Sequence, residues 1–158
     1  MSGKYMAYVG SYSYTGKAKG ITVFDVDVKN GTFRERCEME VDNSSYVIAS
    51  SDGKTLYSIA DEGVVSFRIL QNGSLARLNS APIRGMRGCH LCTDMEDKYV
   101  FVSGYHDGKT TVLSLNKDGS VGQIVDEVSN KGYCTVAERN SRSHVTCTRR
   151  MPDGRYVL

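Results

Sequence analysis

The sequence predicts an all-β fold made of β-propeller blades, because one pattern of residues recurs about every 44 residues. In this pattern a polar turn precedes a short strand in which apolar and polar residues alternate, and it occurs at Ser50–Ile59, Thr93–Val102 and Arg150–Leu158. A second marker keeps the same spacing, an Asn-Gly or Asp-Gly turn before a strand, at Asn30–Phe33, Asn72–Leu75 and Asp118–Val121. Repeats of this length that contain only short strands and turns are typical of propeller blades.

Alternating runs rich in β-branched and aromatic residues supply the strands, and no long segment has helical periodicity. Glycine, asparagine and aspartate separate the runs, as tight antiparallel turns require. The predicted blades span residues 4–41, 45–81 and 89–128, and a fourth begins at 143–158. The second and third blades have four strands each, whereas the first has three and lacks an innermost strand.

The predicted blades are too few to close a ring, since closed propellers have about four to eight. We therefore predict an incomplete propeller of about three blades, the N-terminal half of a larger protein. The fourth blade would begin with strands at Val145–Thr148 and Arg155–Leu158. Open sheet faces and edges tend to pair, so a chain of this length alone is expected to form a homo-oligomer through them. The regular four-strand groups disfavour an open sandwich, which is the structural alternative.

Composition excludes several classes of protein. The 158 residues carry a formal net charge of +2, with 24% charged and 40% hydrophobic residues. This balance creates no strong field that would attract nucleic acid or an anionic membrane. No run approaches the roughly 20 apolar residues of a membrane span. No apolar signal core precedes the first strand, so we expect a cytoplasmic protein without nucleic-acid or membrane partners.

The cysteines indicate neither a disulfide framework nor a metal centre. There are five of them, an odd number, and their spacing is irregular. Cys89 and Cys92 flank His90 in a spacing that resembles a metal knuckle. Residues three apart in a strand point to opposite faces, however, and no second Cys/His pair completes a four-ligand site. We therefore expect no metal and no cofactor.

Propeller topology brings all three histidines to one edge of the sheets. In an antiparallel blade, the start of the innermost strand and the end of the second strand lie at the same edge. In the second blade that edge holds Tyr46 and the Asp61–Gly63 turn, and in the third it holds His90 and the Tyr105–Asp107 turn. Arg139 and His144 come at the start of the next innermost strand, and the first-blade loop Tyr12–Lys19 lies at the same edge. A single histidine in a strand is often only a packing residue, but three at one edge indicate a site for a small molecule.

Seven segments have the residue pattern of a known family: Tyr8–Tyr12, Lys19–Asp25, Cys89–Leu91, Phe101–Gly108, Leu115–Gly122, Arg139–Val145 and Pro152–Tyr156. They resemble the seven-bladed lactonase family, which includes bacterial 6-phosphogluconolactonases and shares its fold with a fungal muconate lactonizing enzyme. The resemblance covers almost the whole chain and about half of the family's fold.

Several positions depart from the family pattern. The family usually has Asn before its Tyr-His pair, where this chain has Gly104, and often a second His where this chain has Thr146. The apolar strand that should follow contains Arg149 and Arg150 instead. Two arginines in a buried innermost strand are costly unless they are paired. Either this segment is degenerate or the two charges face a solvated channel.

The resemblance implies lactone hydrolysis without a metal, in which 6-phosphogluconolactone and water give 6-phosphogluconate. A neutral histidine can take a proton from water at physiological pH. The oxyanion that then develops needs a hydrogen-bond donor or a cation. The hypothesis is that His144 or His90 is the base, and that Arg139 holds the substrate anion or the oxyanion.

Four further residues are candidates for substrate binding. Tyr105 and His106 would position the sugar. Tyr12, in the first-blade loop, and Glu62, in the turn after the second strand of the second blade, would contribute to the same edge.

Two other functions remain open on the sequence. One is a muconate-type lactonizing cycloisomerase, which would use the same face but protonate a carbon instead of activating water. The other is a non-catalytic propeller that serves as a binding scaffold, since fold does not determine function. A panel of lactone substrates would separate the hydrolase from the cycloisomerase.

Overall fold

The computed structural model describes residues 5–132 and 141–158. Within those residues it contains strands and turns but no helix, which confirms the all-β prediction. The strands are β1 (Tyr5–Gly10), β2 (Gly20–Asp27), β3 (Thr32–Glu40), β4 (Val47–Ala49), β5 (Thr55–Ala60), β6 (Gly63–Ile69), β7 (Leu75–Pro82), β8 (His90–Thr93), β9 (Tyr99–Gly104), β10 (Lys109–Leu115) and β11 (Val121–Ser129). None of the described segments is a helix long and apolar enough to cross a bilayer.

The strands form three antiparallel sheets in which each strand pairs with its neighbours in the chain. Blade 1 is the three-stranded sheet β1-β2-β3, blade 2 is β4-β5-β6-β7, and blade 3 is β8-β9-β10-β11. Strands β4 and β8 are the innermost strands of blades 2 and 3, and blade 1 has no described equivalent. Its first strand, β1, therefore pairs only with β2.

The recurring glycine turns form the contacts between successive blades. Gly73 of blade 2 and Gly119 of blade 3 have φ of 81° and 87°, which side-chain-bearing residues rarely adopt. A Cβ atom at Gly73 would collide with the Met6 side chain of blade 1, and one at Gly119 would collide with Thr55 of blade 2. Each turn therefore packs against the preceding blade in the same way, which explains why the marker recurs with the repeat.

Each sheet buries its faces against the next sheet. Leu56 and Tyr57 are consecutive residues of β5, both almost fully buried, and they point to opposite faces. Leu56 belongs to the core between blades 1 and 2, with Ile21, Val23, Val65 and Phe67. Tyr57 belongs to the core between blades 2 and 3, with Ile59, Leu91, Val100, Val102 and Leu113. Blade 2 is therefore buried on both faces, as a blade inside a propeller is.

The fourth blade is less regular than predicted. The expected strand at Val145–Thr148 does not form, and the expected strand at Arg155–Leu158 is reduced to a bridge between Arg150 and Val157. The hairpin register explains this difference. The backbones of Arg149 and Leu158 exchange two hydrogen bonds of 2.8 Å, and among the described residues none forms an antiparallel bridge with 145–148.

Candidate active site

One edge of blade 3 gathers His90, His144 and Tyr105. His90 opens β8 and lies opposite Ser103, near the end of β9. Tyr105 follows β9 directly, and the backbone N–H of Val145 reaches the Gly104 carbonyl oxygen at 3.4 Å. The segment after residue 141 therefore returns to the edge at which β8 begins, and the predicted common edge for His90 and His144 is present.

His144 lies against Tyr105 in two ways. Its Nδ1 atom is 2.6 Å from the carbonyl oxygen of Tyr105. Its ring stacks on the Tyr105 ring, with centroids 4.3 Å apart and planes 18° apart. A carbonyl oxygen can only accept a hydrogen bond, so Nδ1 carries the proton. The lone pair of neutral His144 is consequently on Nε2, which has no hydrogen-bond partner among the described residues.

His90 has the opposite arrangement. The backbone N–H of Thr148 donates to its Nδ1 at 3.4 Å, so the proton of the neutral ring is on Nε2. That atom is 3.5 Å from the Sγ atom of Cys147. Tyr46 packs on the ring with centroids 4.6 Å apart. Burial, and after it the charge of Arg149, lowers the pKa of His90, so the ring is neutral at physiological pH.

Tyr12 belongs to a cluster that joins blade 1 to blade 2. Its ring stacks on Tyr14 at 5.2 Å and lies under the guanidinium of Arg87, at 4.9 Å. Arg87 also donates to Asp61 at 2.7 Å. The other carboxylate oxygen of Asp61 accepts a 2.8 Å hydrogen bond from Asn43. Tyr12 is therefore held at the same edge as Asp61, through charged and polar contacts.

The remaining candidates are less connected. His106 is exposed and meets the edge of the Tyr105 ring at 5.3 Å. Glu62 is exposed at the β5–β6 turn and borders a small cleft of about 170 Å³ with Arg77. No contact among the described residues joins Glu62 to a histidine. Arg139 lies outside the described residues.

A groove of about 560 Å³ runs along the innermost strands beside His90. Its walls come from β4, β8 and the segment after Thr146, with the residues Tyr46, Ile48, Ala49, His90, Leu91, Cys92, Thr93, Cys147, Arg149 and Arg150. A larger cavity of about 690 Å³ lies between blades 2 and 3 at the turns that contain Asp52 and Asp118. None of the described residues that line that cavity is a histidine, whereas His90 lines the groove.

Comparison with known proteins places these blades in a family. Residues 6–158 match the family model described as lactonase, 7-bladed beta-propeller. The chain belongs to this lactonase family. The match confirms both the resemblance expected from the sequence and the propeller fold.

Relatives of this chain include the 6-phosphogluconolactonase of Bacillus subtilis, which is 31% identical over 161 residues. That alignment covers 98% of this chain and 46% of the relative. A Bacteroides fragilis structure described as a candidate 6-phosphogluconolactonase superposes with a TM-score of 0.91 at 32% identity, over 98% of this chain and 44% of that one. The periplasmic gluconolactonase of Pseudomonas aeruginosa shares the fold, with a TM-score of 0.87 at 24% identity, over 96% of this chain and 45% of that one. The chain thus spans about half the length of the relatives it matches.

The chain accommodates one departure from the family pattern by placing the side chain of Asp107 beside Gly104. Gly104 replaces the expected Asn, and a Cβ atom there would collide with the carboxylate of Asp107. The other oxygen of Asp107 accepts a 3.0 Å hydrogen bond from the backbone N–H of Met86. Asp107 therefore fills the space above Gly104 and ties its own turn to the connection before β8.

Sequence reasoning missed Arg87 and Cys147 as members of this edge. Arg87 contacts Tyr12 and Asp61, which are distant in the chain. Cys147 contacts His90 across 57 positions. The only available signal was that both lie close to a candidate histidine in the sequence.

Proposed function

We propose that the protein hydrolyses a sugar lactone, with 6-phosphogluconolactone as its substrate, and that His144 is the general base. The observation that carries the proposal is the 2.6 Å contact between His144 Nδ1 and the Tyr105 carbonyl oxygen. It fixes the proton on Nδ1 and leaves the Nε2 lone pair for a water molecule. Membership of the lactonase family and the name of the Bacillus subtilis relative support this reaction class.

The proposed chemistry is general-base hydrolysis. His144 Nε2 takes a proton from water while the water oxygen bonds to the lactone carbonyl carbon, and the carbonyl electron pair moves onto its oxygen. When this tetrahedral oxyanion collapses, the ring C–O bond breaks. The departing alkoxide takes the proton back from the His144 imidazolium. One water is consumed, a hydroxy acid is released, and nothing is oxidised or reduced.

His90 is a weaker candidate for the base. Its Nδ1 accepts the Thr148 N–H, and in the neutral ring its Nε2 proton faces Cys147. Neither nitrogen then offers a lone pair to water. We assign His90 to substrate positioning, where a neutral ring with an N–H group can donate to a sugar oxygen.

Other residues at this edge are proposed to bind the sugar. Tyr105 and His106 would contact its hydroxyl groups, and Arg139 would hold the oxyanion or an anionic substituent. Tyr12 would form the blade 1 wall, because Arg87 and Asp61 hold it at this edge. Glu62 would extend the site at the exposed β5–β6 turn.

The test is a lactonase assay on the protein expressed from its whole reading frame. Acid release from 6-phosphogluconolactone is measured and corrected for spontaneous hydrolysis. His144→Gln should lower kcat about 10²–10⁴-fold, because the general base is lost. Arg34→Gln, at an exposed position of outer strand β3, is the control and should retain the wild-type rate. Hydrolysis that survives His144→Gln contradicts the assigned base.

Location and assembly complete the proposal. A phosphorylated sugar lactone as substrate supports a cytoplasmic location and a role in the pentose phosphate pathway, within carbohydrate metabolism.

The open face of blade 1 exposes Tyr5 (55%), Val9 (45%) and Phe33 (60%), which supports self-association of the 158-residue chain. Sedimentation velocity should then give a sedimentation coefficient that rises with protein concentration, and a concentration-independent monomer contradicts self-association.

A further inference from the structure

We infer that Arg149 and Arg150 form a phosphate-binding subsite in the groove beside His90. This inference rests on the proposed function and assigns the residues that would hold the phosphate group of the proposed substrate. The two arginines stand where the family pattern leads one to expect apolar residues, so the subsite is a property of this chain.

The first support is the unbalanced charge of the groove. Arg149 and Arg150 line it, and none of the described residues that border it is an aspartate or a glutamate. Neither arginine forms an ion pair with any residue in 5–132 or 141–158. Arg36 and Arg87, by contrast, are paired with Asp25 and Asp61. The groove therefore has a net positive charge that an anionic ligand would neutralise.

The second support is the surroundings of these charges. Ile48, Ala49 and Leu91 form apolar parts of the wall, and Arg149 is exposed, so an anion from solvent can reach its guanidinium group. The charge of Arg149 reaches His90, since it contributes after burial to the lowered pKa of that ring. Guanidinium groups bind phosphate through paired N–H donors. An anion between Arg149 and His90 would thus meet several donors at once.

The third support is size and position. A volume of about 560 Å³ lies within the range of about 300–1,000 Å³ that small-molecule sites occupy, and a six-carbon sugar phosphate fits it. His90 lines the groove and lies opposite Ser103, and Val145, the residue after His144, reaches the neighbouring Gly104 carbonyl oxygen at 3.4 Å. A phosphate held at the arginines would therefore leave the sugar end of the same molecule near the edge where His144 lies.

The binding test uses 6-phosphogluconate, which cannot be hydrolysed, and gluconate, which lacks only the phosphate. Calorimetry with the protein expressed from its whole reading frame should give affinity for 6-phosphogluconate at least about tenfold higher than for gluconate. Arg149→Gln and Arg150→Gln should each weaken 6-phosphogluconate binding about tenfold. Arg149→Lys keeps the charge and should lose less, and Arg34→Gln is the charge-matched control that should lose nothing.

A second readout reports occupancy of the groove. Cys147 is the exposed thiol among the described cysteines and borders the groove. Bound 6-phosphogluconate should slow its alkylation by iodoacetamide, measured by peptide mass spectrometry, whereas Cys37 on blade 1 serves as the internal reference. The protection should disappear in Arg149→Gln.

The outcomes separate the two proposals. Equal affinity for 6-phosphogluconate and gluconate, or unchanged binding in both arginine-to-glutamine variants, overturns the phosphate subsite even if lactones are hydrolysed. Phosphate-selective binding that depends on Arg149, in a protein that hydrolyses no lactone, overturns the proposed reaction and retains the subsite. Equal kcat/KM for 6-phosphogluconolactone and gluconolactone also overturns the subsite alone.

Discussion

His144 donates its Nδ1 proton to the carbonyl oxygen of Tyr105 at 2.6 Å, and the two rings stack with centroids 4.3 Å apart. The contact determines which nitrogen can act as a base and limits the rotation of the ring. His90, at the same edge, accepts a backbone N–H at Nδ1 instead. The sequence makes both histidines candidates for the base, but in the structure they differ in the nitrogen that carries the proton.

The first prediction concerns these two tautomers. In ¹⁵N-resolved NMR spectra of the imidazole rings above pH 7.5, His144 should have a protonated Nδ1 and a bare Nε2. His90 should have a bare Nδ1 and a protonated Nε2, because Thr148 donates to the former. His106, which has no hydrogen-bond partner among the described residues, should show a mixture of tautomers. Identical tautomers for His90 and His144 would refute the assignment.

The second prediction is a pH dependence of stability that arises from His90. Burial and Arg149 lower its pKa in the folded state below the usual 6.5. Between the two pKa values the unfolded state binds more protons, so the free energy of unfolding should fall as the pH drops below 6.5 toward the folded-state value. Urea melts at a series of pH values measure this.

The variant Arg149→Gln sharpens that measurement. Removal of the guanidinium charge should raise the pKa of His90, detected by NMR titration of its ring, and narrow the pH window in which stability is lost. The substitution Arg34→Gln, at an exposed position, should leave the pKa of His90 unchanged. A His90 pKa above 6.5 in the wild type would contradict the effect of burial.

The third prediction concerns Asn43, which is buried and has a φ of 52°. Its side-chain oxygen accepts the backbone N–H groups of Ser13 and Tyr14 at 2.8 and 3.2 Å, and its amide donates to Asp61 at 2.8 Å. Asn43→Ala should lower the free energy of unfolding by about 1–3 kcal/mol, because it loses these bonds and strains the backbone.

Asn43→Gly separates the two effects. Glycine adopts the left-handed conformation without strain, so this variant should lose only the side-chain hydrogen bonds and should be more stable than Asn43→Ala. Denaturant titrations of both variants give the comparison. If Asn43→Ala is as stable as the glycine variant, the backbone strain argument fails.

The fourth prediction tests the packing of one blade on the next. Leu91 on β8 is 1% exposed in the core between blades 2 and 3, so Leu91→Ala should cost about 2–5 kcal/mol. Val9 on β1 is 45% exposed, and Val9→Ala should change stability by no more than about 0.5 kcal/mol. Thermal and chemical denaturation measure both, and similar costs would contradict the stacked-sheet arrangement.

Strand positions in blades 2 and 3 could be predicted from the sequence, because alternation and turn residues are local signals. The strand expected at Val145–Thr148 failed for a non-local reason. A strand needs a paired neighbour, and none of the strands in the described part of the chain pairs with those residues. The edge shared by His90 and His144 was also predictable. Successive strands of a blade run in opposite directions, so their order along the chain tells at which edge of the sheet each strand begins.

The sequence by itself determined the repeat, the all-β class, the lactonase family and the edge at which the histidines meet. Only the tertiary structure decided which side chains contact one another at that edge. His144 meets Tyr105 across 39 positions, Thr148 meets His90 across 58, and Arg87 meets Asp61 across 26. These contacts depend on side-chain directions between separate sheets, and no local pattern encodes them. For that reason the protonated nitrogen of His144 and of His90, and the groove that Arg149 and Arg150 line, emerged only after the blades were placed side by side.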